Sequence, residues 1–202
     1  MHIRAVTFHS CRGAAQVLAR AFLDEPVSRR IYRGLTAGQI LKNLTLDFAG
    51  ELGVCIRRGA PLEVLHNGVT AAAAVIYPPG TFPLGWLDER LIQISTILGH
   101  TRYDRHAWQV WVEEVGKLYP KTPHYYLEYL GVEPALQGQG LGSHLLAELT
   151  RRADTAGVGC YLETATPRNV TLYQRFGFEV TTQKEIIGLP VWFMWRPQGS
   201  IR

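Results

Sequence analysis

The sequence predicts a mixed α/β (α+β) fold, a mixed β-sheet flanked by helices, with residues 1–202 forming a single domain. Three observations predict this class. Strand-like and helix-like hydrophobic patterns follow each other along the chain. The last predicted strands are adjacent in sequence, which favours a mixed sheet over a doubly wound parallel one. Hydrophobic residues make up 47% of the 202 residues, which is enough for a sizeable core.

The hydrophobic pattern in the first quarter of the chain predicts one strand and two helices. Alternation over residues 3–8 indicates a short strand, and apolar residues at helical spacing over 13–24 indicate a helix that Pro26 stops. A second helix is predicted over residues 36–48. Thr36 is its expected N-cap, and the glycines at 50 and 53 are its expected end.

A hairpin and two further helices are predicted in the middle of the chain. The hairpin strands are residues 53–57 and 69–77, and His66-Asn67-Gly68 between them is a turn signal. Residues 87–98 and 105–118 have helical spacing and are divided by a glycine. Aromatic side chains are frequent here, and they are more typical of a core than of a pocket.

The C-terminal third has the most sharply bounded elements, because glycines and prolines separate them. Its predicted elements are a strand over 125–132, a Gly-rich loop over 137–142, a helix over 140–156, a strand over 159–164, a short helix over 169–176, and strands over 178–187 and 191–195 that meet across Gly188-Leu189-Pro190.

Composition excludes several classes of protein. The net charge of +4 suits an anionic ligand, but there is no long Lys/Arg run, so we expect no nucleic-acid partner. Three widely spaced cysteines and the lack of a signal-peptide core indicate a cytoplasmic protein with reduced thiols. The longest apolar stretch, residues 69–77, is far too short to span a bilayer, so we expect no membrane partner. The seven histidines lack metal-ligand spacing, and no metal is predicted.

A Gly-rich turn between a predicted strand and a predicted helix is the architecture of an anion site. The N–H groups at a helix start and the positive end of its dipole converge on phosphate, and glycines let the backbone approach. The spacing departs from the dinucleotide and Walker patterns, and the alternative is a tight connection without a ligand. The candidate residues are Gln137, Gly138, Gln139, Gly140, Leu141, Gly142 and Ser143.

A second element follows the next strand. Asn169 is expected to cap a short helix, Tyr173 lies one turn later, and Gly177 ends the helix. A tyrosine at this place is suited to donate a proton to a thiolate leaving group. The alternative for Tyr173 is a half-buried packing role.

Together the two elements resemble the GCN5-related N-acetyltransferase (GNAT) family over residues 125–178. The cofactor signature of that family, Gln/Arg-x-x-Gly-x-Gly/Ala, is matched by Gln137, Gly140 and Gly142, and its second signature by Asn169 and Tyr173. The puromycin N-acetyltransferase branch looks closer still, on the runs Leu162-Glu163-Thr164 and Pro167-Arg168-Asn169, the pattern from Leu172 to Phe178, and the ending Pro190-Val191-Trp192-Phe193-Met194-Trp195.

The resemblance implies a sheet splayed between two central strands, with acetyl-CoA lying in the gap. The strand of Leu130, Gly131 and Val132 would pair with pantetheine, and the Gly-rich loop would hold the pyrophosphate. Asn169 would also bind the cofactor, and Tyr173 would face the sulfur. The expected partners are acetyl-CoA and an amine acceptor, and the expected state is a monomer or a homodimer.

The reaction needs a base, because an amine attacks a thioester only when it is neutral. Glu128 is the first candidate, since several members of the family carry a glutamate there, and Glu163 is the second; a water relay is the third possibility. Strand alternation would place Glu128 on the side of Leu130 and Val132, unless a bulge intervenes. A backbone amide of the splayed strand is the expected oxyanion donor.

The predicted function is acetyl transfer from acetyl-CoA to a primary amine on a small molecule, by direct attack. Two alternatives stay open, namely acetylation of a protein amine and a non-catalytic acyl-CoA sensor. His124 is a minor candidate near the acceptor, and surface placement is the favoured expectation for it.

Overall fold

The computed structural model describes residues 2–99 and 103–200, and the side chains of residues 95–99 are not part of this description. Seven strands and seven α-helices are found within these ranges, with a short 3-10 turn at Pro134–Leu136. In chain order they are β1 His2–Ala5, α1 Cys11–Ala21, α2 Pro26–Ile31, α3 Ala37–Arg58, β2 Leu62–His66, β3 Val69–Tyr77, α4 Trp86–Gly99, α5 Arg105–Gly116, β4 His124–Val132, α6 Leu141–Thr155, β5 Gly159–Thr164, α7 Pro167–Gln174, β6 Glu179–Ile186 and β7 Leu189–Arg196.

The strands form one mixed sheet in the order β1-β2-β3-β4-β5-β7-β6. The pair β4–β5 is parallel, and all other neighbouring pairs are antiparallel. This confirms the predicted fold class. β4 and β5 pair only from His124 to Tyr126, opposite Gly159 to Tyr161. Beyond that point β4 stays on β3 and β5 stays on β7, so the centre of the sheet opens into a gap.

Each face of the sheet carries its own core. On one face, α1 and α3 pack on β3 and β4 around residues such as Leu18 and Phe48. On the other face, α6 buries a leucine stripe against the sheet. The residues of that stripe are Leu141, Leu145, Leu146 and Leu149. Hence the gap between β4 and β5 connects two separately packed faces.

The prediction for α3 was wrong at its C-terminal end. Thr36 caps it as expected, in a capping box with Gln39. The helix then continues through both glycines to Arg58, so the first hairpin strand is β2 and not residues 53–57. A buried stripe that includes Leu52 and Cys55 holds these turns on the sheet. That packing outweighs the helix penalty of about 1 kcal/mol per glycine.

Two helices begin at a proline, a start that was not predicted from the sequence. α2 was not expected at all: Pro26, predicted only to stop the preceding helix, begins it behind Glu25, whose carboxylate accepts from the N–H of Ser28. Pro167 likewise begins α7, so Asn169 is its third residue and not its cap. The fixed φ of proline suits the first position of a helix, where its missing N–H costs nothing.

Two hairpin turns have the geometry that favours tight antiparallel pairing. Asn67 and Gly68 both have positive φ, which confirms the predicted turn between β2 and β3. The turn between β6 and β7 is Ile187-Gly188, also at positive φ, so the residues at 189 and 190 belong to β7. The predicted turn, residues 188–190, began one residue too late and extended into β7.

Gly131 lets α1 approach β4 closely. A Cβ at this position would lie 2.9 Å from Ala21 Cβ and 2.9 Å from Leu18 Cδ2. Gly131→Ala should therefore lower the free energy of unfolding by about 1–3 kcal/mol, the range typical of overpacking. Denaturant unfolding measures this. Gly53→Ala is the control, because nothing lies within 4 Å of its new Cβ inside α3, and it should raise stability by up to about 1 kcal/mol. Equal effects of both changes would contradict the close approach.

Candidate active site

The loop before α6 presents a row of backbone N–H groups. Gly138 and Gly140 have φ of 80° and 83°, in the left-handed region that favours glycine. Gly140 is the N-cap of α6, and no side chain caps the helix. In the described part of the chain, the N–H groups from Gly140 to Ser143 have no protein acceptor. Such a helix start, with its positive dipole end, is suited to bind an anion.

The loop faces open space at Gly138 and is held to the end of β4 on its other side. A Cβ on Gly138 would contact nothing within 4 Å. The side-chain amide of Gln137 donates to the Val132 carbonyl over 3.3 Å, which joins the loop to the end of β4. A Cβ on Gly142 would lie 3.4 Å from Val132 Cγ2, so this glycine lets α6 start against the strand. These features fit the pyrophosphate of a CoA thioester.

Two other residues predicted for this loop differ in what they offer. Leu141 is fully buried in the leucine stripe of α6, so only its backbone amide is available for a ligand. Gln139 is exposed at the tip of the turn. Its role in binding stays a prediction.

A β-bulge turns Glu128 away from the side that strict alternation predicts. Val75 is opposite Tyr129 and Ile76 is opposite Leu127, so Glu128 is an extra residue in β4. Tyr129 packs in the α3-side core, whereas Leu130 and Val132, which alternation would have paired with Glu128, pack on the α6 side. The electrostatic neighbour of Glu128 is Glu51 of α3. The prediction for Glu128 allowed for a bulge that would change its side, and the structure contains that bulge.

Glu128 lies in an unusual electrostatic environment. One of its carboxylate oxygens is buried and has no hydrogen-bond partner in the described part of the chain. Burial, followed by the negative charges of Glu51 and Glu163, raises the pKa of Glu128 well above its usual value. A carboxyl group with a raised pKa is a stronger base, which is the property required of a group that takes a proton from an ammonium.

Glu163, the second candidate base, lies at the end of β5. Its carboxylate accepts from the Tyr126 hydroxyl at 2.7 Å, while its other oxygen is buried without a partner among the described residues. Burial raises the pKa of Glu163 to about 7, and the bond from Tyr126 opposes that rise. Tyr126 itself lies where β4 and β5 stop pairing. The structure thus brings both candidate carboxylates to the gap.

Tyr173 reaches the gap from the opposite face of the sheet. It is buried in the α6-side core, with its ring centroid 6.0 Å from that of Phe178. Burial, and then the charge of Glu163, raises the pKa of Tyr173 above its usual value, so its hydroxyl stays protonated at neutral pH. Within the described chain this hydroxyl makes no hydrogen bond, which leaves it available as a donor. Asn169 lies one turn earlier on α7.

Sequence reasoning missed the polar groups that α3 contributes. Asn43 and Glu51 are buried on this helix, and the half-buried Asp47 lies between them at the same four-residue spacing. That spacing, three polar residues within an otherwise apolar face, was the signal available in the sequence. Burial and the charge of Asp47 raise the pKa of Glu51 to about 8. The helix therefore adds carboxyl groups to the same site as Glu128.

His124 was expected at the surface and is instead 4% exposed. Its ring lies 4.9 Å from the ring of Tyr119 and 5.6 Å from that of Trp195, between centroids. Its Nδ1 contacts the Thr122 carbonyl at 2.6 Å. Burial lowers the pKa of His124. Aromatic side chains thus pack over the start of β4.

Within residues 2–99 and 103–200, no cluster of three or more His, Cys, Asp or Glu side chains is arranged to hold a metal ion. A search of the same residues found no helix with the length and apolar character of a membrane span.

Comparisons with known proteins agree with this geometry. The family model described as the acetyltransferase (GNAT) family matches residues 63–178, more than half of the chain. An uncharacterized N-acetyltransferase of Schizosaccharomyces pombe is 27% identical over 186 residues, covering 88% of this chain and 74% of the relative.

Solved structures support the fold. A histone acetyltransferase HPA2 and related acetyltransferase from Corynebacterium glutamicum has a TM-score of 0.67 at 21% identity, covering 98% of this chain and 97% of the other. The PaiA N-acetyltransferase from Thermoplasma acidophilum, solved in complex with coenzyme A, has a TM-score of 0.59 at 11% identity, covering 97% and 98%. At these identities the likeness is one of fold.

Proposed function

The chain belongs to the acetyltransferase (GNAT) family and is an acetyl-CoA-dependent N-acetyltransferase, and we propose that its acceptor is a primary amine on a small molecule. Glu128 is the proposed base and Tyr173 the proposed acid. The resemblance to the puromycin branch stays a prediction, and it does not name the acceptor. The observation that carries the proposal is the bulge of β4, which sets a proton-binding carboxyl group at the opening of the sheet.

Acetyl-CoA would be held by the backbone on both sides of the gap. The N–H groups from Gly140 to Ser143 supply donors to the pyrophosphate. β4 has no strand partner on its β5 side beyond Tyr126 in the described chain, so its backbone there can pair with pantetheine. The bound thioester supplies the acetyl group. An N–H of this unpaired stretch is the proposed donor to the oxyanion.

Proton movement would use the two faces of the sheet separately. The amine enters from the α3 face, where Glu128 takes its proton directly or through one water. Burial, then the charge of Glu51 and last that of Glu163 keep the pKa of Glu128 high. From the α6 face, Tyr173 donates its proton to the leaving thiolate. Because the acid and the base lie on opposite faces, they do not neutralise each other before reaction.

A small acceptor is favoured because aromatic side chains cover the α3 side of the gap. The segment between β3 and β4 forms α4 and α5, and aromatic rings of this segment contact the start of β4. Phe82 and Tyr119 lie 4.8 and 5.4 Å from the ring of Tyr126, between centroids. The pair Lys184–Glu114 ties α5 to β6. A protein chain would need an open groove here, whereas a small amine needs only a pocket.

An amine screen tests the acceptor class. Purified protein and acetyl-CoA would be incubated with small primary amines and, separately, with peptides that have free N-termini or lysines, and released CoA would be detected as thiol. We expect release with small amines only. Release with peptides alone would replace the small-molecule acceptor by a protein acceptor. Binding of acetyl-CoA without release by any amine would favour the sensor.

Gly140→Asp should abolish cofactor binding while the fold remains. Aspartate tolerates the positive φ of Gly140 better than most residues and is a good N-cap, so α6 should still form. Its carboxylate would face the pyrophosphate and repel it. Acetyl-CoA at a hundredfold excess over its dissociation constant should stabilise the wild type by about 2.7 kcal/mol. Differential scanning fluorimetry should show this stabilisation lost in the variant.

Gly188→Asp is the matched control. Gly188 also has positive φ and an empty surrounding, but it lies in the turn between β6 and β7. It should keep the full stabilisation by acetyl-CoA. If Gly140→Asp kept it as well, the cofactor site proposed here would be wrong.

A further inference from the structure

We propose that the buried polar face of α3 is a subsite for a second positive charge, so that the acceptor is a diamine or polyamine. This inference rests on the proposed function for the first amine, the one that is acetylated. The subsite consists of Asn43, Asp47 and Glu51, with the hydroxyl of Tyr77 beside it.

The first argument is that three of these residues, Asn43, Glu51 and Tyr77, have buried polar atoms without the partners that burial normally demands. Glu51 is 9% exposed, and one of its oxygens has no hydrogen-bond partner in the described chain. Both amide atoms of Asn43 and the hydroxyl of Tyr77 are equally unpartnered, and both residues are fully buried. An unmade hydrogen bond at a buried group costs about 1–3 kcal/mol. Several such groups near one another indicate a ligand that would complete them.

A buried glutamate outside this region, with a structural role, provides a comparison. Glu63 of β2 is also fully buried, but Arg4 donates to it over 2.8 Å and Thr70 over 2.5 Å. By contrast, no lysine or arginine among the described residues pairs with Glu51 or Glu128. The lack of a basic partner is therefore specific to Glu51 and Glu128 and is not a feature of every buried glutamate in this fold.

The second argument is length. Asn43 and Glu51 are eight residues apart on α3, which corresponds to about 12 Å along the helix axis. Glu51 acts electrostatically on Glu128, and Asp47 acts on Glu51, so the carboxyl groups continue from the bulge along the helix. A single ammonium group beside Glu128 cannot reach both ends of this row. A chain with a second amine can reach Glu51 while its first amine stays beside Glu128.

The third argument is the set of aromatic rings beside the row. The Tyr129 ring lies 5.1 Å from Phe48 and 5.7 Å from Phe22, between centroids, in edge-on contacts. Tyr77 stacks with Tyr126 at 6.5 Å. Aromatic faces attract cations and also pack against methylene groups. Carboxyl groups with aromatic rings beside them suit an alkyl chain that carries a charge at each end.

Matched pairs of amines test the proposal. Putrescine and n-butylamine, and cadaverine and n-pentylamine, have the same carbon chains but differ in the second charge. We expect kcat/KM of the wild type to be at least about tenfold higher for each diamine, because a hydrogen-bonded charge pair is lost with the monoamine. Glu51→Gln should lower the diamine-to-monoamine ratio by about tenfold, mainly through KM of the diamine. Glu51→Asp, which keeps the charge, should restore part of the ratio.

The ratio is the informative quantity, because Glu51 also acts on the pKa of Glu128. A change in the base alters both members of a pair by the same factor and cancels. Glu63→Gln is the control for removal of a buried carboxylate elsewhere, and it should leave the ratio unchanged even if the protein becomes less stable.

Thermal stabilisation by putrescine, without acetyl-CoA, separates failure of this inference from failure of the proposed function. Stabilisation of the wild type but not of Glu51→Gln supports the subsite even if no amine is acetylated. CoA release at equal kcat/KM for both members of each pair would overturn the subsite and keep the N-acetyltransferase. Absence of both stabilisation and diamine preference would also overturn it.

Discussion

Replacing Tyr173 with phenylalanine should lower kcat by about 10²–10⁴-fold, the usual cost of losing a general acid. The change removes one hydroxyl and keeps the ring that packs near Phe178. Because that hydroxyl makes no hydrogen bond in the described chain, its loss leaves no protein group unpaired. We therefore expect stability and the affinity for acetyl-CoA to stay close to those of the wild type. Steady-state kinetics together with thermal stabilisation by CoA measure both quantities.

Tyr125→Phe is the matched control for this change. Tyr125 lies on β4 opposite Cys160, where β4 and β5 are still paired, and its side chain packs on the same core as Tyr173. It should keep kcat within a few-fold of the wild type. If Tyr173→Phe also kept kcat at saturating substrates, with the chemical step shown to limit the rate, Tyr173 would have only a packing role.

Glu128→Gln should lower kcat/KM for the amine by about 10²–10⁴-fold near neutral pH, and the loss should shrink at alkaline pH. Burial and the charges of Glu51 and Glu163 raise the pKa of Glu128. A base acts only when it is deprotonated, so a raised pKa makes the rate of the wild type increase with pH through that pKa. A bound ammonium has the opposite charge and lowers the pKa again, which favours proton transfer within the complex.

The pH profile of the variant distinguishes the roles. Glutamine cannot titrate, so the limb that belongs to Glu128 should disappear, and the remaining increase should follow deprotonation of the amine in solution. A loss of the same size at every pH would indicate that Glu128 positions the substrate. Glu163→Gln is the companion variant, and a larger effect there would transfer the role of base to Glu163, whose pKa of about 7 also suits it.

The sequence predicted the loop before α6 well because its residues act through local geometry. Gly138 and Gly140 adopt positive φ, and Gly140 caps α6, as a strand–turn–helix anion site requires. β5 was also predicted with its observed bounds, since a glycine and a proline-containing turn enclose a short apolar run. Local rules were sufficient at these positions.

The errors came where tertiary packing decides. The extension of α3 to Arg58 depends on its contact with the sheet, which no local propensity reports. The bulge at Glu128 depends on the register of β4 with β3, and without that register strict alternation assigns the side chain to the opposite face. For the same reason the electrostatic interaction of Glu51 with Glu128 was not predicted, although the four-residue spacing between Asp47 and Glu51 is visible in the sequence.

The most direct test of the central claim is to measure CoA and N-acetylated amine in the same reaction, the first as free thiol and the second by mass spectrometry. With an accepted amine, the wild-type protein should form the two products in equal amounts, and Tyr173→Phe should slow both by the same factor. CoA released at the same rate with and without amine, or stabilisation by acetyl-CoA with no N-acetylated product from any amine tested, would contradict acetyl transfer in the gap between β4 and β5.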